Sequence, residues 1–72
     1  MKKSEILEYG NYDKVLVRWH KSNNTIEYSV HTLGLYHTEE EHDLISGHYF
    51  GEDYATCNEY FSQYRYLYKK YI

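Results

Sequence analysis

The residue with the most reactive chemistry in this chain is its single cysteine, Cys57. A cysteine nucleophile needs a depressed pKa and a nearby base. Cys57 falls near the start of a helical pattern, and His48 on the preceding segment could approach it. No glycine-flanked elbow or oxyanion-forming motif surrounds it, however. It also sits in the middle of an apolar stripe, where a small hydrophobe belongs, so a core role is expected.

Five histidines stand at His20, His31, His37, His42 and His48. His37 and His42 bracket Glu39, Glu40 and Glu41, which offers nitrogen and oxygen ligands within one loop. Their spacing fits neither the HExxH nor a zinc-finger pattern, and neither a metal nor a cofactor is expected. The carboxylates Glu39, Glu40, Glu41 and Asp43 have no apolar surroundings in the sequence that would raise a pKa for acid–base work. They read as a solvated loop, or as an acidic contact for a basic partner. At the other end, Arg65, Tyr66, Lys69 and Lys70 interleave cations with tyrosine, a combination that binds single-stranded nucleic acid. Lys2 and Lys3 would add to that patch if the N-terminus folds nearby. Against it stand a net charge of −3 and the absence of an RNP, KH or helix-turn-helix signature. No constellation names a reaction, and the expectation is a non-enzymatic protein.

Composition bounds the rest. Seventy-two residues make a single domain spanning 1–72, and a chain this short buries only roughly 60% of its unfolded surface. One cysteine gives no internal disulfide, so a dense aromatic core or a homodimer must compensate. Eleven tyrosines, one tryptophan and two phenylalanines supply such a core and leave some over for recognition. No apolar stretch has the length of a signal peptide or a membrane span, so cytoplasmic residence without membrane contact is expected. Asn23-Asn24-Thr25 matches a glycosylation sequon but reads more usefully as a turn.

The elements that must position these groups follow from periodicity. Val15, Val17 and Trp19 alternate with Leu16, Arg18 and His20; Ile26, Tyr28 and Val30 alternate with Glu27, Ser29 and His31. A loop centred on Asn23-Asn24 makes these a hairpin, with Trp19 opposite Tyr28 and Val17 opposite Val30. Residues 44–50 form another strand ending at Gly51. Residues 3–9 form a further strand turning at Gly10-Asn11, with a helix from Ser4 as the alternative. Residues 53–71 read as a helix capped by Asp53, with Tyr54, Cys57, Phe61, Tyr64, Tyr68 and Tyr71 on one stripe and Tyr60 and Leu67 alongside. The expected fold is α+β: a small antiparallel β-meander of three to four strands, packed on one face by a C-terminal α-helix.

If that stripe covers the Val15, Val17 and Trp19 face, the opposite face is left to bind. The expected contact surface then comprises Leu16, Arg18, His20, His31, the Glu39–Glu41 loop and Tyr66, with Leu33, Leu35 and Tyr36 near the loop after the hairpin. In overall style the chain is similar to the small accessory proteins of phages and mobile elements. That resemblance implies a stoichiometric inhibitor or modulator of a host or defence protein. A nucleic-acid-binding accessory factor using Arg65, Tyr66, Lys69 and Lys70 is the alternative, and a small metal-binding protein a more distant one.

Overall fold

The computed structural model describes residues 3–65; Tyr66, Leu67, Tyr68, Lys69, Lys70, Tyr71 and Lys2 of the expected stripe and patches lie outside them. Strands β1 (Ser4–Tyr9), β2 (Lys14–His20), β3 (Ile26–Leu33) and β4 (Leu44–Gly51) form one antiparallel sheet in sequence order. Helix α1 (Tyr54–Phe61) follows and tightens into a 3-10 turn at Ser62–Tyr64. The architecture is a four-stranded meander with a C-terminal helix on one face, the α+β fold that the hydrophobic periodicity implied.

Asp53 caps α1: one carboxylate oxygen accepts from the Thr56 N–H at 3.1 Å and the other from the Thr56 hydroxyl at 2.6 Å. These bonds satisfy helix-terminal donors that otherwise lack partners. The helix is shorter than its apolar periodicity suggested. Arg65 is already extended, with ψ 154°, so the helical path is broken there; the rest of the expected helix lies outside the described residues. The physical reason is tertiary. Arg65 leaves the helical path to bind Glu8, and the Thr, Cys, Asn, Tyr and Phe residues of α1 are weak helix formers that offer little resistance.

The hairpin register also differs from expectation. Trp19 stands opposite Glu27, Arg18 opposite Tyr28, Val17 opposite Ser29 and Leu16 opposite Val30. The turn explains it. Lys21 donates its N–H to the Thr25 carbonyl, the Asn24 N–H bonds the Lys21 carbonyl, and Asn24 is left-handed at φ 68°. That is a three-residue loop closed by a left-handed residue, not a two-residue loop. One extra loop residue shifts the pairing by one and exchanges the partners on each face.

In consequence α1 covers the opposite side of the sheet from the one anticipated. Leu16, Val30, Cys57 and Phe61 form the buried cluster, with Leu7, Tyr28, Phe50, Tyr60 and Tyr64 packed against it. Among the described residues the Val15, Val17 and Trp19 side carries no helix, yet Val15, Val17, Ser29 and His31 are all buried there. Trp19 bonds the Ser29 hydroxyl and, with Tyr49, lies edge-on to His31, and the segment 34–43 passes over the same side. It is closed at its base by the Gly34 N–H on the Asp43 carbonyl, and it reaches β1 where the Ser4 hydroxyl and His42 Nδ1 lie 2.8 Å apart. Since β2 lies between β1 and β3, a loop that leaves β3 and bonds Ser4 must cross β2 on that side. The contiguous run Val15-Leu16-Val17 is therefore buried on both faces, helix on one and loop on the other.

Candidate partner-binding surface

The surface expected from the sequence divides once the register is known. Leu16 is 1% exposed and belongs to the core beneath α1. His31 is 3% exposed, on the other face, with the Trp19 and Tyr49 rings edge-on at 5.9 Å and 5.2 Å. Neither residue can touch a partner, because each is buried where its face of the sheet is covered. The remaining polar pair stays accessible. Arg18 and His20 converge on one Glu5 carboxylate oxygen, Arg18 Nη2 at 2.9 Å and His20 Nε2 at 3.1 Å. Those hydrogen bonds, the one from His20 foremost, hold the Glu5 carboxyl below its usual range.

Glu39, Glu40 and Glu41 are exposed on the crossing loop. Thr38 organises this stretch, its N–H bonding the Glu41 carbonyl and its hydroxyl accepting the Glu41 N–H at 2.9 Å. A shallow depression of about 510 Å³ runs along the free edge of β1, where Glu39 and His42 meet Ser4, Ile6, Tyr9 and His20. The structure thus brings His20 and the acidic loop together. Tyr66 lies outside the described residues.

Arg65, assigned by the alternative reading to a nucleic-acid patch, is already engaged. It grips Glu8 through two bonds of 2.8 Å, bonds the Asn58 side chain, and lies 5.3 Å above the Phe61 ring centre. The Glu8 hydrogen bonds raise the guanidinium pKa still further, and in return they hold the Glu8 carboxyl below its usual range. A cation paired in this way contributes little to phosphate binding.

The chemical candidates are equally resolved. Cys57 is fully buried; desolvation first, and Asp53 second, push its thiol up to about 11, so it carries no thiolate at neutral pH. His48 packs on Tyr60 at 5.0 Å. His37 and His42 stack at 5.6 Å, but among the described residues no three His, Cys, Asp or Glu side chains are grouped to hold a metal ion. Ser4 and His42 have the spacing of a nucleophile and its base. Ser4, however, opens a β-strand rather than a strand-to-helix elbow, and the bond ties the crossing loop to the sheet.

What sequence reasoning underweighted is the end of the sheet that carries the β1–β2 and β3–β4 connections. A meander puts these two connections at the same end. Leu35 is 94% exposed there, and Tyr36 and Tyr12 are each 82% exposed. Tyr12 and Asp13 are consecutive left-handed residues at φ 61° and 60°. A non-glycine residue in that region costs about 1–2 kcal/mol, so the backbone holds strain while it turns Tyr12 outward. The available signal was the pair Leu35-Tyr36 placed directly after Gly34 in an otherwise polar loop. Tyr12, flanked by polar Asn11 and Asp13, gave none.

Among the described residues no helix is long and apolar enough to cross a membrane. No protein-family model, curated protein or solved structure matches the chain.

Proposed function

We propose that this protein is a non-enzymatic binding module that occupies the surface of a protein partner, as a stoichiometric inhibitor or modulator of a host or defence protein does. The observation that carries the reading is the outward presentation of Leu35, Tyr36 and Tyr12 at one end of the sheet. Exposed side chains contribute nothing to the core, and aromatic anchors surrounded by polar groups are the usual makeup of an interface centre. Glu40 and Glu41 lie on the same connection as Leu35 and Tyr36. The fitting partner surface is therefore an apolar pocket with lysine or arginine at its margin. Reading the basic C-terminal stretch as a nucleic-acid site is weakened by the commitment of Arg65 to Glu8.

The test compares the wild-type chain with the double variant Leu35→Ser, Tyr36→Ser in quantitative capture from lysate of the source organism. The expected result is one protein recovered in equimolar amount by the wild type and retained at least about tenfold less well by the variant, with the melting temperature unchanged. Equal capture by both chains overturns the proposal. So does recovery of nucleic acid alone, with affinity falling steeply with salt.

A further inference from the structure

The depression along β1 is lined by Glu5 and Glu39, and a second one, beside Tyr36, by Glu41 and Asp43. A third differs in kind. It measures about 430 Å³, lies where β2 turns into β3, and is lined by Lys3, Trp19, His20, Lys21, Ser22 and Asn23, with no carboxylate among them. In a chain of net charge −3, a cleft walled by two lysines, neutral donors and an indole is a local reversal of charge. We propose that this cleft binds a nucleoside phosphate, with the base lying against Trp19 and the phosphate held by Lys3 and Lys21.

The backbone sets these groups in place. The His20 N–H donates to the Lys3 carbonyl at 2.8 Å and carries Lys3 alongside the end of β2; the Lys21 N–H donates to the Thr25 carbonyl at 3.0 Å and closes the turn. Trp19 is fixed by its indole N–H on the Ser29 hydroxyl at 2.7 Å and by its edge-on contact with His31. A ring already held loses little freedom when a base stacks on it. The cations are available as well. Among the described residues Lys3 makes no ion pair, and Lys21 lies 3.7 Å from Glu27 with both side chains well exposed, a loose pair that a phosphate can displace. Glu5, the other nearby carboxylate, is already bonded by Arg18 and His20, which offsets its repulsion of an anion.

Asn23 favours a base over a simpler anion. Its side-chain oxygen accepts from the Thr25 N–H at 3.3 Å and from the Thr25 hydroxyl at 2.7 Å. With that oxygen engaged, the Asn23 amide presents its N–H groups as donors, and the ring nitrogens and carbonyls of a base edge accept them. A free phosphate has no use for the indole. A phosphotyrosine ring has no acceptor on its edge for Asn23 to meet. The volume of the cleft suits a ligand of nucleotide size.

The cleft stands at the opposite end of the sheet from Leu35 and Tyr36, so the two sites can be tested separately. Trp19 is the one tryptophan of the chain, and its fluorescence therefore reports on this cleft alone. A panel of ribonucleoside monophosphates, added to the full chain, should quench that emission saturably. The double variant Lys3→Gln, Lys21→Gln should bind the tightest of them at least about tenfold more weakly, with the melting temperature unchanged. The matching nucleoside, which lacks the phosphate, and ribose phosphate, which lacks the base, should each lose at least about tenfold. Leu35→Ser, Tyr36→Ser should leave the titration as it is. A short single-stranded oligonucleotide separates the two sources of this ligand: tighter, steeply salt-dependent binding assigns the cleft to a strand, and no gain over the monomer assigns it to a free nucleotide. Absence of saturable quenching up to millimolar concentration overturns the proposal. So does equal binding of inorganic phosphate, tighter binding of phosphotyrosine, or undiminished binding by the lysine variant.

Discussion

Arg65 holds Glu8 across 57 positions of sequence, with Nε and Nη2 each 2.8 Å from a different carboxylate oxygen. The contact joins the end of the helical segment to the outer strand β1. A β-bulge after Ile6 makes it possible: it accommodates one extra residue, Leu7 packs against the core, and Glu8 meets the guanidinium. Arg65→Ala removes a bidentate pair and the stacking on Phe61, and a loss of about 1–2 kcal/mol is expected for these partly exposed groups. Glu8→Gln should cost less, and a double-mutant cycle read by urea denaturation should show the two sites coupled. Because Glu8 has a lowered pKa when folded, its contribution is complete above the unfolded value of 4.5. It disappears as the pH falls through the folded value.

A second pH dependence comes from His31. Burial is the main cause that holds its imidazole below the ordinary 6.5; the Ile45 backbone opposes this in part, and His48 and Lys14 add to it. Among the described residues neither ring nitrogen reaches a partner at hydrogen-bond geometry. The unfolded chain therefore takes up the proton first. Stability is complete above pH 6.5 and declines as the pH falls below it. Denaturation free energies measured from about pH 7.5 down to about pH 5 should fall for the wild type and fall less for His31→Leu. Equal slopes would mean that His31 titrates as it does in the unfolded chain.

Two glycines should respond very differently to alanine. At Gly10 a Cβ would lie 2.6 Å from the Tyr64 carbonyl oxygen and 2.9 Å from Phe61 Cζ, where the backbone after α1 crosses the end of β1. A carbonyl cannot turn aside as a flexible side chain can, so Gly10→Ala should cost more than about 2 kcal/mol. Gly51, at φ 60°, has open space around it. Gly51→Ala should cost only the conformational strain, about 1 kcal/mol. Chemical denaturation of both variants checks the order.

Cys57 provides a probe of opening. With its side chain fully buried and its thiol pushed up to about 11, it should resist a thiol-specific disulfide reagent at neutral pH in the native state. Labelling should accelerate in denaturant in step with the loss of α1 packing. Cys57→Ala should leave partner capture intact. Rapid native-state labelling would contradict the buried position.

The elements themselves were legible in the linear pattern. Alternation marked β2 and β3, Gly10-Asn11 marked the end of β1, and Asp53 as a capping residue marked the start of α1. The placement of Cys57 and Phe61 on one inward stripe was legible too, since helical periodicity alone requires it. The candidate surface was read less well. Arg18, His20 and the Glu39–Glu41 loop are accessible, but Leu16 and His31 are not. No local signal separates these groups, because all four strand residues lie in similar alternating sequence.

What the sequence determined by itself was the identity and order of the elements, since each depends on spacing and capping within a few residues. Which side of the sheet receives α1 was decided only in the tertiary structure. That choice depends on whether the turn holds two residues or three, and Ser22-Asn23-Asn24-Thr25 is chemically suited to either. The three-residue turn places Leu16 beside Val30 under α1 and leaves Val15 and Val17 to the crossing loop. This arrangement buries the whole Val15-Leu16-Val17 run, whereas a single covered face would bury only alternate residues of it.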